Sequence, residues 1–119
     1  MKNKDYEAHC LPCKGVKTKE WHAWLNLMPS LPNDFHIVGK VQVPNPGVEP
    51  LLFEHEPQGV NPTIFLADLF LYQRPGGWPD IVVWKPVRFE KTVEDPPYRG
   101  VKVLCGKETI AKFPVKRVY

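Results

Sequence analysis

Proline is the feature that most restricts how this chain can fold, because fourteen of its 119 residues are proline. Proline has no backbone N–H and disfavours helical geometry in the residue before it, so this density leaves few windows for a long helix. Hydrophobic residues make up 43% of the chain and charged residues 24%, a composition typical of globular proteins. The length suits one domain that buries a core. We therefore expect a single, mostly β domain.

Short segments rich in β-branched and aromatic residues lie between the proline- and glycine-containing turns, and such segments are typical of strands. Residues 21–28 match both helical and strand spacing, and Pro29 with two tryptophans slightly favours a strand. Seven strands with long connections then predict an antiparallel β-sandwich of immunoglobulin-like architecture over residues 21–119, preceded by a polar arm over residues 1–20. The remaining predicted strands span residues 35–43, 50–55, 63–73, 80–91, 98–105 and 109–118.

The C-terminal hairpin concentrates positive charge, since residues 99–119 contain six basic residues and one acidic residue. A three-residue loop at 106–108 would pair Val103 with Ala111 and set Lys102 opposite Lys112 on the other face. Like charges in that arrangement are screened by solvent, protect a sheet edge, or hold an anionic partner. The candidate partner-binding residues of this hairpin are Lys102, Lys112, Lys116 and Arg117.

Nucleic acid is not the partner that the sequence predicts. The isoelectric point is about 8.8, below the value of about 9 typical of nucleic-acid-binding domains. Aromatic residues among the lysines would strengthen such a hypothesis, because bases stack on them, but only Tyr98 and Tyr119 are candidates. Trp78, at a predicted loop tip, either anchors a protein partner or caps the core.

The segment "HCLPC" at residues 9–13 contains two of the three cysteines. A redox C-x-x-C pair needs a helix N-terminus, and no helix is predicted after Cys13. A zinc site needs about four ligands, which Cys10, Cys13 and His22 could provide with Cys105 or His9. Inert cysteines, a metal site, and a redox pair or disulfide all stay open, and the sequence favours the first. The sequence therefore predicts no cofactor, and zinc is the alternative.

No catalytic motif is recognisable, so the sequence does not predict an enzyme. The single serine, Ser30, lies between prolines, and no glycine-rich phosphate loop is present. The triplet at residues 54–56, Glu-His-Glu, could bind a cation but is better explained as a solvated strand end. Asp68, inside an apolar strand, is either a perturbed acid or a carboxylate with local hydrogen-bond partners.

The first residues of the sequence contain no apolar stretch, so we expect no secretory signal, and the longest apolar run, at residues 63–72, is too short to cross a bilayer. An odd number of cysteines gives no disulfide framework, so we expect the protein to lie in the reducing cytoplasm. We also expect that it does not insert into a membrane. The sequence thus predicts a non-catalytic binding or assembly module. Its partner would be a protein or a second copy of the chain, as in a homodimer. The alternative is a zinc- or thiol-dependent protein that uses Cys10 and Cys13.

Overall fold

A computed structural model describes residues 10–29 and 32–119, and these residues form eight strands and no helix. The all-β prediction is confirmed, and the ambiguous segment before Pro29 is a strand. None of the described residues belongs to a helix that could cross a bilayer. The strands are β1 (Cys10–Leu11), β2 (Thr18–Asn26), β3 (Asp34–Val43), β4 (Val48–Glu54), β5 (Ile64–Gln73), β6 (Val83–Thr92), β7 (Gly100–Cys105) and β8 (Glu108–Val118).

The strands form one mixed sheet that curls into a half-barrel, in the order β1-β5-β7-β8-β2-β3-β6, with β4 on the other edge of β5. Strand β8 joins the two halves, because it pairs with β7 up to Pro114 and with β2 from Val115 onward. The β5–β7 and β2–β8 pairs are parallel. The structure therefore differs from the predicted antiparallel, seven-stranded sandwich. Side-chain alternation is the same in either strand direction, so it does not reveal parallel pairing.

One strand that the sequence did not predict, β1, lies within the predicted arm of residues 1–20, and β2 also begins there. Residues 1–9 of that arm lie outside the described part of the chain. Strand β1 occupies the edge of β5 next to Leu71 and Tyr72, beyond the end of β7. Part of the predicted arm is therefore built into the sheet.

The core fills the concave side of the half-barrel. Phe35 of β3 and Phe65 of β5 meet edge to face at 4.9 Å between ring centroids, and Tyr98 packs 4.9 Å from Phe35. The side chains of Phe35 and Phe65 are fully buried. Aromatic pairs in this geometry stabilise a core beyond the area that they bury. These contacts hold the two halves of the sheet together.

Strands β4 and β6 are the two edges of the curled sheet, and side chains bridge the gap between them. Lys91 donates to a Glu54 carboxylate oxygen at 2.7 Å, and Lys85 lies 3.5 Å from a Glu49 oxygen. Pro86 lies in β6. Proline has no N–H to donate to a neighbouring strand, so within sheets it occurs mainly in edge strands such as this one. Each edge is thus partly covered by the other.

A β-bulge in β2 changes which side chains face outward. Glu20 and Trp21 together oppose Gly39, because Lys19 pairs with Lys40 and the ladder resumes only after the bulge. The Trp21 ring lies on the concave side, where a Cβ at residue 39 would collide with it. Glu20 adopts a positive φ of 55°. Consequently Lys19 and Glu20 both reach the outer face, against strict alternation.

The β7–β8 hairpin confirms the predicted register: Val103 pairs with Ala111 and Lys102 with Lys112. The turn itself is shorter than predicted, since Cys105 pairs with Glu108. A register shift after Val103 restores the alignment. The two lysines therefore lie side by side on the outer face, as the sequence indicated.

Candidate binding surface

The outer face of β7, β8, β2, β3 and β6 gathers cationic and aromatic side chains from all five strands. Trp24 is paired with Lys116 across the parallel β2–β8 ladder, and Lys102 with Lys112 across the hairpin. Residues paired across a ladder share a face of the sheet. We call this surface the basic face, defined by Lys19, His22, Trp24, His36, Lys40, Trp84, Arg88, Lys102, Lys112 and Lys116.

One end of the basic face is an aromatic stack. The rings of Trp24 and His36 lie nearly parallel, 13° apart, with centroids separated by 4.8 Å. The His36 ring nitrogens approach two carboxylates, Glu90 at 3.5 Å and Asp34 at 3.9 Å. Trp24 of this stack is the cross-strand partner of Lys116.

The middle of the basic face is a shallow groove of about 420 Å³. Its cationic side chains are locally paired, since Lys40 lies 3.4 Å from Glu20, and Arg88 donates to Glu90. Both pairs are solvent-exposed, and exposed pairs of this kind contribute at most about 1 kcal/mol to stability. They can therefore exchange partners at little cost. The groove is lined by Glu20, His22, Val38, Gly39, Lys40, Pro86, Val87 and Arg88.

Trp84 lies at the other end of the basic face and is 38% exposed. The Lys19 ammonium lies 4.1 Å from the centroid of its ring, a cation–π contact. This contact depends on the bulge in β2, which turns Lys19 outward. A second aromatic group beside a cation thus lies on the same surface as Trp24 and Lys116.

Positive charge exceeds negative charge on the basic face. Within residues 10–29 and 32–119, Lys102, Lys112 and Lys116 form no ion pair. The cationic side chains are Lys19, Lys40, Arg88, Lys102, Lys112 and Lys116, and the carboxylates are Glu20, Asp34 and Glu90. The cationic side chains outnumber the carboxylates, and the resulting positive charge suits an anionic partner.

Two of the predicted partner-binding residues lie elsewhere. Arg117 is paired with buried Leu25, on the opposite side of the sheet from Lys116, and donates to Asp95 at 2.7 Å. That hydrogen bond raises the pKa of Arg117. Trp78 is 37% exposed, but its ring covers Gly47 and its indole N–H donates to the Arg74 carbonyl oxygen at 2.9 Å. Trp78 is thus folded back against the protein.

The cysteines are arranged as a cross-link between two short strands. Strand β7 runs along β5 as far as Asp68, and β1 runs along the same edge in the opposite direction from Tyr72. The two strands meet between these positions, where Cys13 and Cys105 form a disulfide with Cα atoms 6.0 Å apart. The sequence favoured inert cysteines and offered a disulfide only within the Cys10 and Cys13 pair, because no local pattern brings together residues that are 92 positions apart.

The four predicted zinc ligands are not gathered at one place. Cys13 is joined to Cys105, Cys10 lies in β1 beside Tyr72, and His22 lines the groove of the basic face. His9 lies outside the described residues. In that part of the chain, no three His, Cys, Asp or Glu side chains are close enough to hold a metal ion. Because zinc binds thiolates, the zinc site stays a prediction that requires reduction of the disulfide.

Asp68 has a local partner, as one of the two sequence interpretations expected. His55 Nδ1 lies 2.9 and 3.0 Å from its two carboxylate oxygens. Gln58 braces the same corner through hydrogen bonds with the backbone of His55 and Leu66. Strand β4 ends at Glu54, so the Glu-His-Glu triplet does lie at a strand end. Ser30 lies outside the described residues.

Comparisons of the chain with known protein families, with curated proteins and with solved structures found no match.

Proposed function

We propose that this chain is a non-catalytic binding module and that it binds an anionic partner through the basic face. The observation that supports this most strongly is the row of Lys102, Lys112 and Lys116, which lack carboxylate partners within the described residues. Lysines held beside one another repel, which mildly destabilises the sheet. An anionic partner removes that repulsion when it binds.

The aromatic groups at both ends of the basic face also favour binding. Exposed tryptophan contributes large contact area at a low entropic cost, and it is enriched at the energetically important positions of interfaces. Trp84 is exposed at the edge of the sheet, and Trp24 lies next to Lys116. A partner that spans the groove could contact both ends.

The test compares two double variants with the same net charge on a heparin column. K112E/K116E reverses two charges on the basic face, whereas K14E/K107E reverses two exposed lysines in turns away from it. If the basic face binds anions, the first variant elutes at much lower salt than the second. Equal elution of the two variants would show that only net charge matters and would overturn the proposal.

Self-association stays a prediction. The side chains at the two sheet edges, β4 and β6, affect which surface a dimer could use. Pairing through β4 or β6 would have to displace the Lys85–Glu49 and Lys91–Glu54 contacts that bridge them. A dimer is therefore more easily built through another surface. Light scattering at high protein concentration tests it, and a strict monomer would contradict it.

The cytoplasmic location also stays a prediction. The sequence favoured the cytoplasm because three cysteines suggested no disulfide framework. Structural disulfides such as Cys13–Cys105 persist mainly in oxidising compartments. The pairing thus removes one reason for the cytoplasmic prediction, and a thiol count on protein isolated from its native source would test it.

A further inference from the structure

We infer that the anionic partner of the basic face is a single-stranded nucleic acid. This inference rests on the proposed function and adds the chemical class of the ligand. The sequence argued against nucleic acid because the isoelectric point is about 8.8 and only Tyr98 and Tyr119 lie among the lysines of the C-terminal hairpin. The fold supplies what the sequence lacked, since Trp24 is the cross-strand neighbour of Lys116 and Trp84 lies under Lys19.

The spacing of the aromatic groups fits an extended strand. Trp24 is level with His36 of β3, and Trp84 is paired with Gln42. Six residues separate positions 36 and 42, so the two tryptophans are about 20 Å apart along the strand direction. The groove that contains His22, Lys40 and Arg88 lies between them. A short oligonucleotide can therefore stack a base at each end while its phosphates follow the groove.

The chemistry distinguishes this ligand from other polyanions. Bases have flat π faces that stack on exposed tryptophan, and phosphates pair with Lys and Arg. An acidic peptide or a sulfated sugar also satisfies the lysines, but neither carries a planar π system on every unit of a charged backbone, as a nucleic acid does. A duplex is the poorer fit, because its bases are already stacked on one another and leave no free π face for Trp84.

The binding experiment uses fluorescence anisotropy with fluorescein-labelled dT12 and rU12, a 12-base-pair duplex, and unlabelled heparin as competitor. We expect both single strands to bind more tightly than the duplex, and the ratio of dT12 to rU12 distinguishes DNA from RNA. For W84A we expect a loss of affinity of about 5- to 150-fold, the range of one base–aromatic stack. W84F should retain most of the affinity because it keeps a π face.

W78A is the matched control, since Trp78 is about equally exposed but lies away from the basic face. Its affinity should be unchanged. In K112A/K116A, the slope of log K against log salt should fall by about 1.4, because each phosphate contact to a single strand contributes about 0.7. Thermal melts of each variant establish that it is folded.

Three outcomes overturn the inference. Absence of oligonucleotide binding at 50 mM salt contradicts it directly. Binding that W84A leaves unchanged, with heparin competing equally well, shows a general polyanion site; the proposed function then survives and the nucleic-acid assignment fails. Binding that is insensitive to every variant of the basic face, but lost in W78A, contradicts both.

Discussion

Trp24 and Lys116 lie side by side on the outer face because β2 and β8 run parallel in a register that pairs them. Strand β8 reaches this position only after it leaves β7, and its last residues then join the other half of the sheet. Strand alternation separates Lys116 from Arg117, whose side chain lies on the opposite side and donates to Asp95. The join between the two halves of the half-barrel therefore also builds the basic face.

The substitution K112E should make the fold more stable while it weakens anion binding. Lys112 lies opposite Lys102, and replacing a like-charge pair with an opposite-charge pair stabilises a sheet by about 0.2–1 kcal/mol. Urea unfolding measures the gain, and K107E in the hairpin turn controls for the change in net charge. A loss of stability in K112E would show that the two lysines are not neighbours.

Reduction of the Cys13–Cys105 disulfide should lower the melting temperature by about 8–16 °C. A cross-link that closes a long loop typically stabilises by about 2–4 kcal/mol, and a domain of this size unfolds with an entropy of about 250 cal/mol/K. Calorimetry with and without dithiothreitol measures the shift. The C105S variant should melt at the lower temperature under both conditions, and unchanged melting of the reduced wild-type protein would contradict the cross-link.

The substitution G39A should destabilise the fold by about 1–3 kcal/mol, the range for overpacking. A Cβ at residue 39 would collide with the Trp21 ring, which is held by its stack on Phe113 and by its hydrogen bond to Thr18. Chemical denaturation measures the loss. G77A is the control, since a Cβ at Gly77 meets no atom within 4 Å. Equal stability of the two variants would contradict the bulge geometry.

Stability should fall as the pH rises above about 10. Burial raises the pKa of Tyr98, and the hydrogen bond to Glu54 raises the pKa of Lys91. The folded chain therefore keeps protons that the unfolded chain has lost, so alkaline pH favours unfolding. Urea unfolding at pH 8 and pH 11 should show a smaller fall in Y98F than in Y119F. An equal fall in both variants would contradict the assignment to Tyr98.

Local patterns in the sequence predicted much of the fold. Alternation and turn residues located most strands, and the hairpin register around Lys102 and Lys112 followed from the sequence. Pairings between distant segments were not predictable, because alternation says nothing about which strand is the neighbour. This is why the parallel β2–β8 ladder, and with it the placement of Trp24 beside Lys116, was missed.

Some residues of the basic face were predicted from the sequence and others were missed, again because contacts between distant strands were not predictable. Lys102, Lys112 and Lys116 were identified from the charge and the predicted register of the hairpin, and they do share one face. Trp84 gave no signal, since its exposure depends on β6 being an edge strand and its cation on a bulge in β2. The bulge has one trace in the sequence: Gly39 interrupts an apolar alternation where a tryptophan from β2 needs room.

Lysine acetylation footprinting, followed by mass spectrometry, tests the basic face most directly. The free protein and its complex with dT12 are each treated briefly with acetic anhydride. We predict that the complex protects Lys40, Lys102, Lys112 and Lys116, while Lys14 and Lys107 react at unchanged rates. Protection confined to lysines outside the basic face, or equal reactivity of all lysines in a sample shown to be bound, would contradict the account.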